Sequence, residues 1–383
     1  MALAAPGHRL RDHLRGRALI SGAAAPARRD WLDWSRGIAV VLMVLSHVVD
    51  AWTRDVDRAR AGFYWATFFG GLAAPAFLFL AGLGTAFSGA SQRRRGHTLD
   101  DTRRALVRRG LTIFALAFAF RLQAFILGLG RPIDLLRVDV LNVMGPALVA
   151  AALLWSVVDD DRGRVWLAVA ATVALAFAAP LVRSMAWIDG LPAPLQWYLR
   201  PTPGHANFTL LPWAGFVTAG LGVGVAVAGA RQEAAERRVQ LALAALAIGG
   251  AVAAYWASLQ PSLYAPGRST FWGSSPAFFG IRLGIVAAVL PLCWSLRRVM
   301  PVALGAVLAT LGAASLFVYW VHVELVYGGP AILIKRQVPL ELALVATLVV
   351  AWGMARLVPW ARRWVAARQG RPEPVRQLVA RLL

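Results

Sequence analysis

Apolar runs of roughly 20 residues, separated by short stretches rich in Arg, Asp, Gly and Pro, recur along the whole chain. A run of that length crosses a hydrocarbon core about 30 Å thick when it is helical. The pattern predicts ten membrane helices, over 33–53, 62–88, 110–128, 139–158, 164–182, 208–230, 241–258, 276–296, 303–327 and 339–361. Run 62–88 is long and carries Pro75, so a kink or tilt is expected there. Run 303–327 is also long, and is expected to tilt or to emerge on the outer side. The turn before 164–182 is short, from Asp159 to Gly163. The expected fold class is all-α, a polytopic membrane bundle. It divides into a basic N-terminal segment 1–32, a transmembrane domain 33–361 and a basic amphipathic tail 362–383.

Charge fixes an expected orientation. Alternate loops, taken with the two ends, hold 27 Arg residues, whereas the opposite loops hold ten Arg or Lys. The last group is Arg54, Arg58, Arg60, Arg131, Arg137, Arg183, Arg200, Arg268, Lys335 and Arg336. Positive residues stay on the cytoplasmic side, which predicts a multi-pass protein of the cell (inner) membrane with both termini cytoplasmic. The Arg-rich stretch before the first run lacks a short apolar core with a small-residue cleavage site, so the first run reads as an uncleaved anchor.

Composition agrees with the bundle: 58% of residues are hydrophobic, 15% are charged and the mean hydropathy is +0.59. The net charge of +21 suggests nucleic acid only until its alternation between loops is seen. Cys293 is the single cysteine, which excludes an intramolecular disulfide and a Cys-rich metal site. No HExxH, no Cys/His ligand spacing and no GxSxG elbow occurs, so no metal and no serine-hydrolase chemistry is expected. The loop 89–109 either binds an anionic cytosolic ligand or simply holds the topology. Gly220 and Gly224 form a small-xxx-small pair of the kind that packs helices. From Arg356 onward Leu, Val and Trp alternate with Arg, as in a helix lying on the inner leaflet.

Against this apolar background the polar residues inside the runs stand out: His47, Asp50, Arg121, Gln123, Asp139, Asn142, Arg282, His322 and Glu324. Ionisable groups at membrane depth are costly and mark functional sites by default. Arg36 and His47 are eleven residues apart, which returns them to nearly one helix face about 16 Å apart along the axis. The cation then lies at the inner surface and the imidazole near the midplane, while most of the other polar groups lie in the outer half. Asp50, three residues beyond His47, can orient the ring or raise its basicity. A positioned imidazole serves as general base toward a hydroxyl or amine, the bland reading being a satisfied core histidine. Arg121 and Arg282 can stabilise an oxyanion or pair with Asp139 and Glu324. Asp139 and Asn142 share one face of an outer turn. His322 and Glu324 are about 200° apart on their helix, so one of the two is expected to be structural. His205 sits in an outer loop; His8, His13 and His97 carry no assignment.

The segment DWLDWSRGIAVVLMVLSHVVDAW resembles the first span of integral-membrane acyltransferases, namely the acyltransferase-3 family with its R-x10-H motif and the heparan-alpha-glucosaminide N-acetyltransferase catalytic-domain family. The second is the closer resemblance. Its bacterial members have stretches similar to APAFLFLAGLG (74–84), RRGLTIFALAFAFRLQAF (108–125), LLRVDVLNVMGPAL (135–148), LLPWAGF (210–216) and SLFVYWVHVELVYG (315–328). The resemblance implies transfer of an acyl group, typically acetyl, from cytosolic acyl-CoA to a sugar amine or hydroxyl on the far side. It implies His47 as the catalytic histidine and Arg36 as a donor-site residue. Acyl-CoA is then a co-substrate and no cofactor is permanently bound. The expected partners are acyl-CoA, membrane lipids and an envelope glycan or lipid-linked sugar, with no nucleic acid. The alternative is a polar-solute transporter or flippase using the same ionisable residues, against which stands the lack of an internal repeat.

Overall fold

A computed structural model gives the protein's structure, and it describes residues 29–128, 131–264, 270–368 and 374–383. The N-terminal segment up to residue 28, Arg268 and residues 369–373 of the tail lie outside the described residues. Nine helices among the described residues are long and apolar enough to cross a membrane, and a bent pair makes a tenth crossing if it is counted as one span. The protein is a multi-pass membrane bundle.

In chain order the helices are α1 (Asp30–Trp52), α2 (Ala61–Gly70), α3 (Ala73–Arg94), α4 (Leu99–Gly128), α5 (Val140–Val157), α6 (Asp161–Arg183), the single turn α7 (Ala193–Gln196), α8 (Leu210–Gly229), α9 (Glu233–Ser258), α10 (Pro276–Ser295), α11 (Val302–Ala313), α12 (Ser315–Tyr327), α13 (Leu340–Ala367) and α14 (Pro374–Leu382). The expected run 164–182 is α6, opened by an N-cap: Asp160 accepts from the Gly163 amide.

Helix α1 is the central post, with Val40, Val44, Val48 and Val49 fully buried. Glycines let other backbones close on it. A Cβ at Gly37 would overlap the Leu308 carbonyl of α11, and one at Gly312 would overlap the Asp33 carbonyl of α1. The second tight seam joins α3 to α8. A Cβ at Gly220 would collide with the Phe79 carbonyl, and one at Gly224 would lie 2.7 Å from the Leu83 carbonyl. The Gly220/Gly224 pair therefore packs helices, as its spacing predicts. Helix α9, by contrast, turns Leu246, Ile248, Val252 and Trp256 outward, as a lipid-facing helix does.

Two long runs are interrupted where their sequence gives no polar sign. Run 62–88 breaks at Gly71 and Leu72, between α2 and α3, in the turn before Pro75. Pro75 has no N–H for the Gly71 carbonyl four residues earlier, so the interruption falls where the proline is expected to act. Run 303–327 neither tilts as one rod nor simply emerges: α11 and α12 meet at Ala314 with a bend of 85°. Helix α12 consequently begins inside the bundle. It rises beside the second half of α1, where the Trp52 indole N–H donates to the Val326 carbonyl over 3.0 Å.

Above that junction the end of α1 is stitched to the α12–α13 loop. The amides of Arg336 and Val338 donate to the carbonyls of Ala51 and Trp52, which the helix end would otherwise leave unpaired. Asp57 extends the stitch. Its buried carboxylate takes Arg54 at 2.7 Å, Arg60 at 3.3 Å and the Leu340 amide at 3.1 Å. The hydrogen bond from Arg54 holds the Asp57 carboxyl below the usual carboxylate range.

Candidate active site

His47 is half-buried on α1, with Nδ1 2.8 Å from Nε2 of His322 on α12. The two rings are nearly parallel, at 5°, with centroids 5.0 Å apart. His322 is fully buried, and its Nδ1 lies 2.7 Å from the Val318 carbonyl one turn earlier. These contacts assign the tautomers of the neutral pair. A carbonyl only accepts, so Nδ1 of His322 carries its hydrogen and Nε2 is left as an acceptor. His47 then donates from Nδ1, and its Nε2 keeps a free lone pair. Tyr327, one turn beyond His322, sets its ring edge-on to His47 with centroids 5.5 Å apart.

Asp50 does not take the orienting place its spacing suggests. Its carboxylate is exposed, accepting from the Tyr327 hydroxyl at 3.2 Å and pairing with Arg58 at 3.6 Å. The Arg58 guanidinium also donates to the Asp50 backbone carbonyl, which draws this end of α1 toward the surface loop. The residue that hydrogen-bonds the His47 ring is His322. Glu324, on the other side of α12, belongs to a separate set: Gln123 bonds to it and also accepts from the Trp320 indole.

Arg121 and Asp139 pair at 2.9 Å, the salt-bridge alternative for that arginine. Asp139 is the N-cap of α5, accepting from the Leu141 and Asn142 amides while Asn142 accepts from the Asp139 amide. The buried Asn142 and Asp139 are thus occupied in starting a helix. Burial pushes the hydroxyl of Tyr198, beside Asn142, above its ordinary pKa, so it stays neutral. His205 stacks on Trp197 at 4.4 Å between centroids.

Arg282 pairs with neither Asp139 nor Glu324. Its guanidinium lies 3.9 Å from the Phe278 ring centroid and 5.6 Å from that of Trp213, and among the described residues it has no carboxylate partner. The end of α2 touches both regions: Gly70 packs on Ser46, the neighbour of His47, and a Cβ at Gly71 would be 4.0 Å from Arg282 Nη2.

Arg36 lies about 9 Å into α1 and pairs with Asp33 at 3.2 Å. Its guanidinium meets that of Arg109 beside Gly84. The stretch 89–109 reads as a loop in the sequence, yet α4 begins at Leu99, so Arg109 is ten residues inside a helix. The signal was Thr98-x-x-Asp101: the Thr98 hydroxyl accepts from the Asp101 amide and donates to its carboxylate, which starts the helix there. From Ser35, next to Arg36, a narrow apolar crevice lined by Ile38, Leu42 and Leu290 leads to Leu72, adjoining Gly71. In the last turn of α3, Arg93 pairs with Asp159, which also holds Arg164.

The described residues thus hold an imidazole pair inside the helix bundle, an arginine without a carboxylate partner among them and an arginine pair beside Gly84. A family model described as "Heparan-alpha-glucosaminide N-acetyltransferase, catalytic" matches residues 28–261. A search among curated proteins returns no significant match. The matched segment includes Arg36, His47, Arg109, Arg121 and Asp139; Arg282, His322 and the similar stretch 315–328 lie beyond it. Because the match covers more than half of the chain, this membrane protein belongs to the heparan-alpha-glucosaminide N-acetyltransferase catalytic family, and its function is of the membrane acetyltransferase type.

Proposed function

We propose that the protein transfers an acyl group, acetyl in the first instance, from cytosolic acyl-CoA to a hydroxyl or amine of an envelope glycan or lipid-linked sugar on the opposite side of the cell membrane. The Arg-rich face, which the beginning of α1 and the end of α13 share, is the cytoplasmic one. The observation that carries the reading is the His47–His322 contact of 2.8 Å, because it leaves a lone pair on His47 Nε2.

His47 acts as general base. Its Nε2 takes the proton as the acceptor oxygen or nitrogen attacks the thioester carbonyl, and the tetrahedral intermediate collapses by expelling the CoA thiolate. The proton on His47 then passes to the thiolate. His322 positions the ring and carries part of the imidazolium charge through the shared hydrogen, the service a carboxylate gives in a hydrolase triad. Among the described residues Arg282 has no carboxylate to neutralise it, which suits it to the developing oxyanion. Arg36 holds the donor, and the crevice from Ser35 to Leu72 offers an apolar path for its acyl-bearing arm. Asp139 and Asn142 shape the outer mouth, and Asp50 steadies Tyr327.

The test is release of free CoA from acetyl-CoA by purified protein in nanodiscs, with an envelope-glycan extract as acceptor. Acceptor-dependent release by the wild type, lost in folded His47→Ala, is the expected result. Full release by folded His47→Ala removes His47 from the chemistry. No release with any acyl-CoA, together with solute uptake into vesicles without CoA, replaces this reading with the transporter.

A further inference from the structure

Gly84 of α3 faces three guanidinium nitrogens. A Cβ placed on it would lie 3.7 Å from Nη2 of Arg36 and 3.8 and 3.9 Å from Nη2 and Nη1 of Arg109. Three donors from two helices therefore surround one small space that a side chain at position 84 would enter. Arg36 has the Asp33 carboxylate at 3.2 Å, whereas Arg109 has no carboxylate within ion-pair distance among the described residues. The pair sits below the helix ends: Gly110, next to Arg109, packs on Val149, eight residues or about 12 Å from the end of α5 at Val157. Two guanidinium groups this close repel one another, and a cation in a membrane-embedded bundle is costly without an anion.

We propose that Arg36 and Arg109 together form a cradle for the diphosphate of the donor, with Gly84 as its floor. The proposal rests on the acyl-CoA reading above and deepens it. Phosphate oxygens match the forked donors of arginine, and a diphosphate offers one group to each fork. The choice of the donor's diphosphate over a lipid phosphate follows from what adjoins the cradle. The apolar crevice starts at Ser35, beside Arg36, and advances along α1 in the direction of His47. An anion bound over Gly84 therefore has its uncharged arm led toward the imidazole pair, about 16 Å further along the helix. Arg109 is a binding residue in this scheme and takes no part in proton transfer.

The experiment is titration calorimetry on the full chain in nanodiscs of zwitterionic lipid, with CoA, ADP and phosphate-free pantetheine as probes. The wild type is expected to bind CoA about 10- to 100-fold more tightly than pantetheine, as expected for hydrogen bonds to charged groups. Arg109→Gln should lose most of that ratio while pantetheine is bound as before, and Arg109→Lys should keep part of it. Gly84→Leu, which fills the floor without touching a charge, should also weaken CoA and ADP but not pantetheine. Unaltered pantetheine binding serves as the control for folding.

An unchanged CoA-to-pantetheine ratio in both Arg109→Gln and Gly84→Leu would overturn the cradle. So would unchanged CoA affinity in Arg109→Gln accompanied by loss of a wild-type response to anionic lipid, since that assigns the pair to a lipid phosphate. The two proposals fail separately. Arg109-dependent CoA and ADP binding in a protein that transfers no acyl group would retain the cradle and remove the transferase mechanism. Acyl transfer with the same KM for acyl-CoA in wild type and Arg109→Gln would do the reverse.

Discussion

Nε2 of His322 meets Nδ1 of His47 at 2.8 Å across 275 residues of sequence, and the Val318 carbonyl behind it fixes which nitrogen of each ring carries hydrogen. The consequence is directional. Only His47 presents a free lone pair, so the two imidazoles have different work.

Substitution should separate those roles. His47→Ala is expected to lower kcat about 10²- to 10⁴-fold, the usual share of a general base. His322→Ala should lower it about 10- to 100-fold with KM for acyl-CoA unchanged, as loss of an orienting partner does. His322→Gln, whose side-chain oxygen can accept from His47 Nδ1, should recover part of that loss. The double His47→Ala/His322→Ala protein should be no slower than His47→Ala alone, because the residues act as a unit. Steady-state kinetics on protein of unchanged melting temperature decides the matter, and additive losses would contradict the pairing.

Asp50 offers the contrasting case. Its carboxylate serves Tyr327 and Arg58 at the surface, so Asp50→Asn should change kcat by no more than about 3-fold, the range of an ordinary exposed substitution. A loss as large as that of His322→Ala would return the orienting role to Asp50.

The Arg121–Asp139 pair predicts a stability effect with two parts. Asp139→Ala removes the α5 N-cap, worth about 1 kcal/mol, and strands a partly buried guanidinium, which costs about 3–5 kcal/mol more. Asp139→Asn keeps an oxygen for the cap and loses only the charge, so its melting temperature should fall between those of Asp139→Ala and the wild type.

Close backbone contact at α11 gives a steric prediction. Gly37→Leu must push α11 away from α1, because even a Cβ there overlaps the Leu308 carbonyl. Overpacking of this kind costs about 1–3 kcal/mol or more, and here it also displaces the elbow that carries α12. The melting temperature and kcat should fall together. Gly249→Ala on α9, where nothing lies within 4 Å, should leave both unchanged or raise stability slightly.

Asp57 gives the pH dependence. Its carboxyl titrates below its ordinary value in the folded protein because Arg54 bonds to it. A lowered folded pKa contributes stability that is fully present above the unfolded value and is lost as pH falls through the folded one. The difference in melting temperature between wild type and Asp57→Asn should therefore be constant from neutral pH down to mildly acid conditions. It should shrink only below the ordinary carboxylate range. A difference that disappears near pH 6 would place the effect elsewhere.

Much of this architecture is written in the apolar runs, because crossing lipid demands an unbroken stretch and the stretch is its own signal. The Gly220/Gly224 seam follows from spacing in the same way. What spacing does not carry is every break inside an apolar run. Pro75 marks the interruption at Gly71–Leu72 one turn before it, whereas Ala314 is as apolar as its neighbours and nothing marks it. Spacing also points to candidates on one helix, Asp50 for His47, and not to the partner that another helix delivers, His322. Arg109 was hidden for a different reason. Its neighbours are so rich in arginine that it reads as part of a topology signal, although the Thr98–Asp101 cap already marks the start of a helix around it.

The family match ends at residue 261, in the loop after α9, and His322 stands 61 positions further on. The matched segment therefore holds His47 but not the ring whose nitrogen it meets, and a truncation of this chain at residue 261 would keep His47 while taking away α12 and the acceptor for its Nδ1 hydrogen.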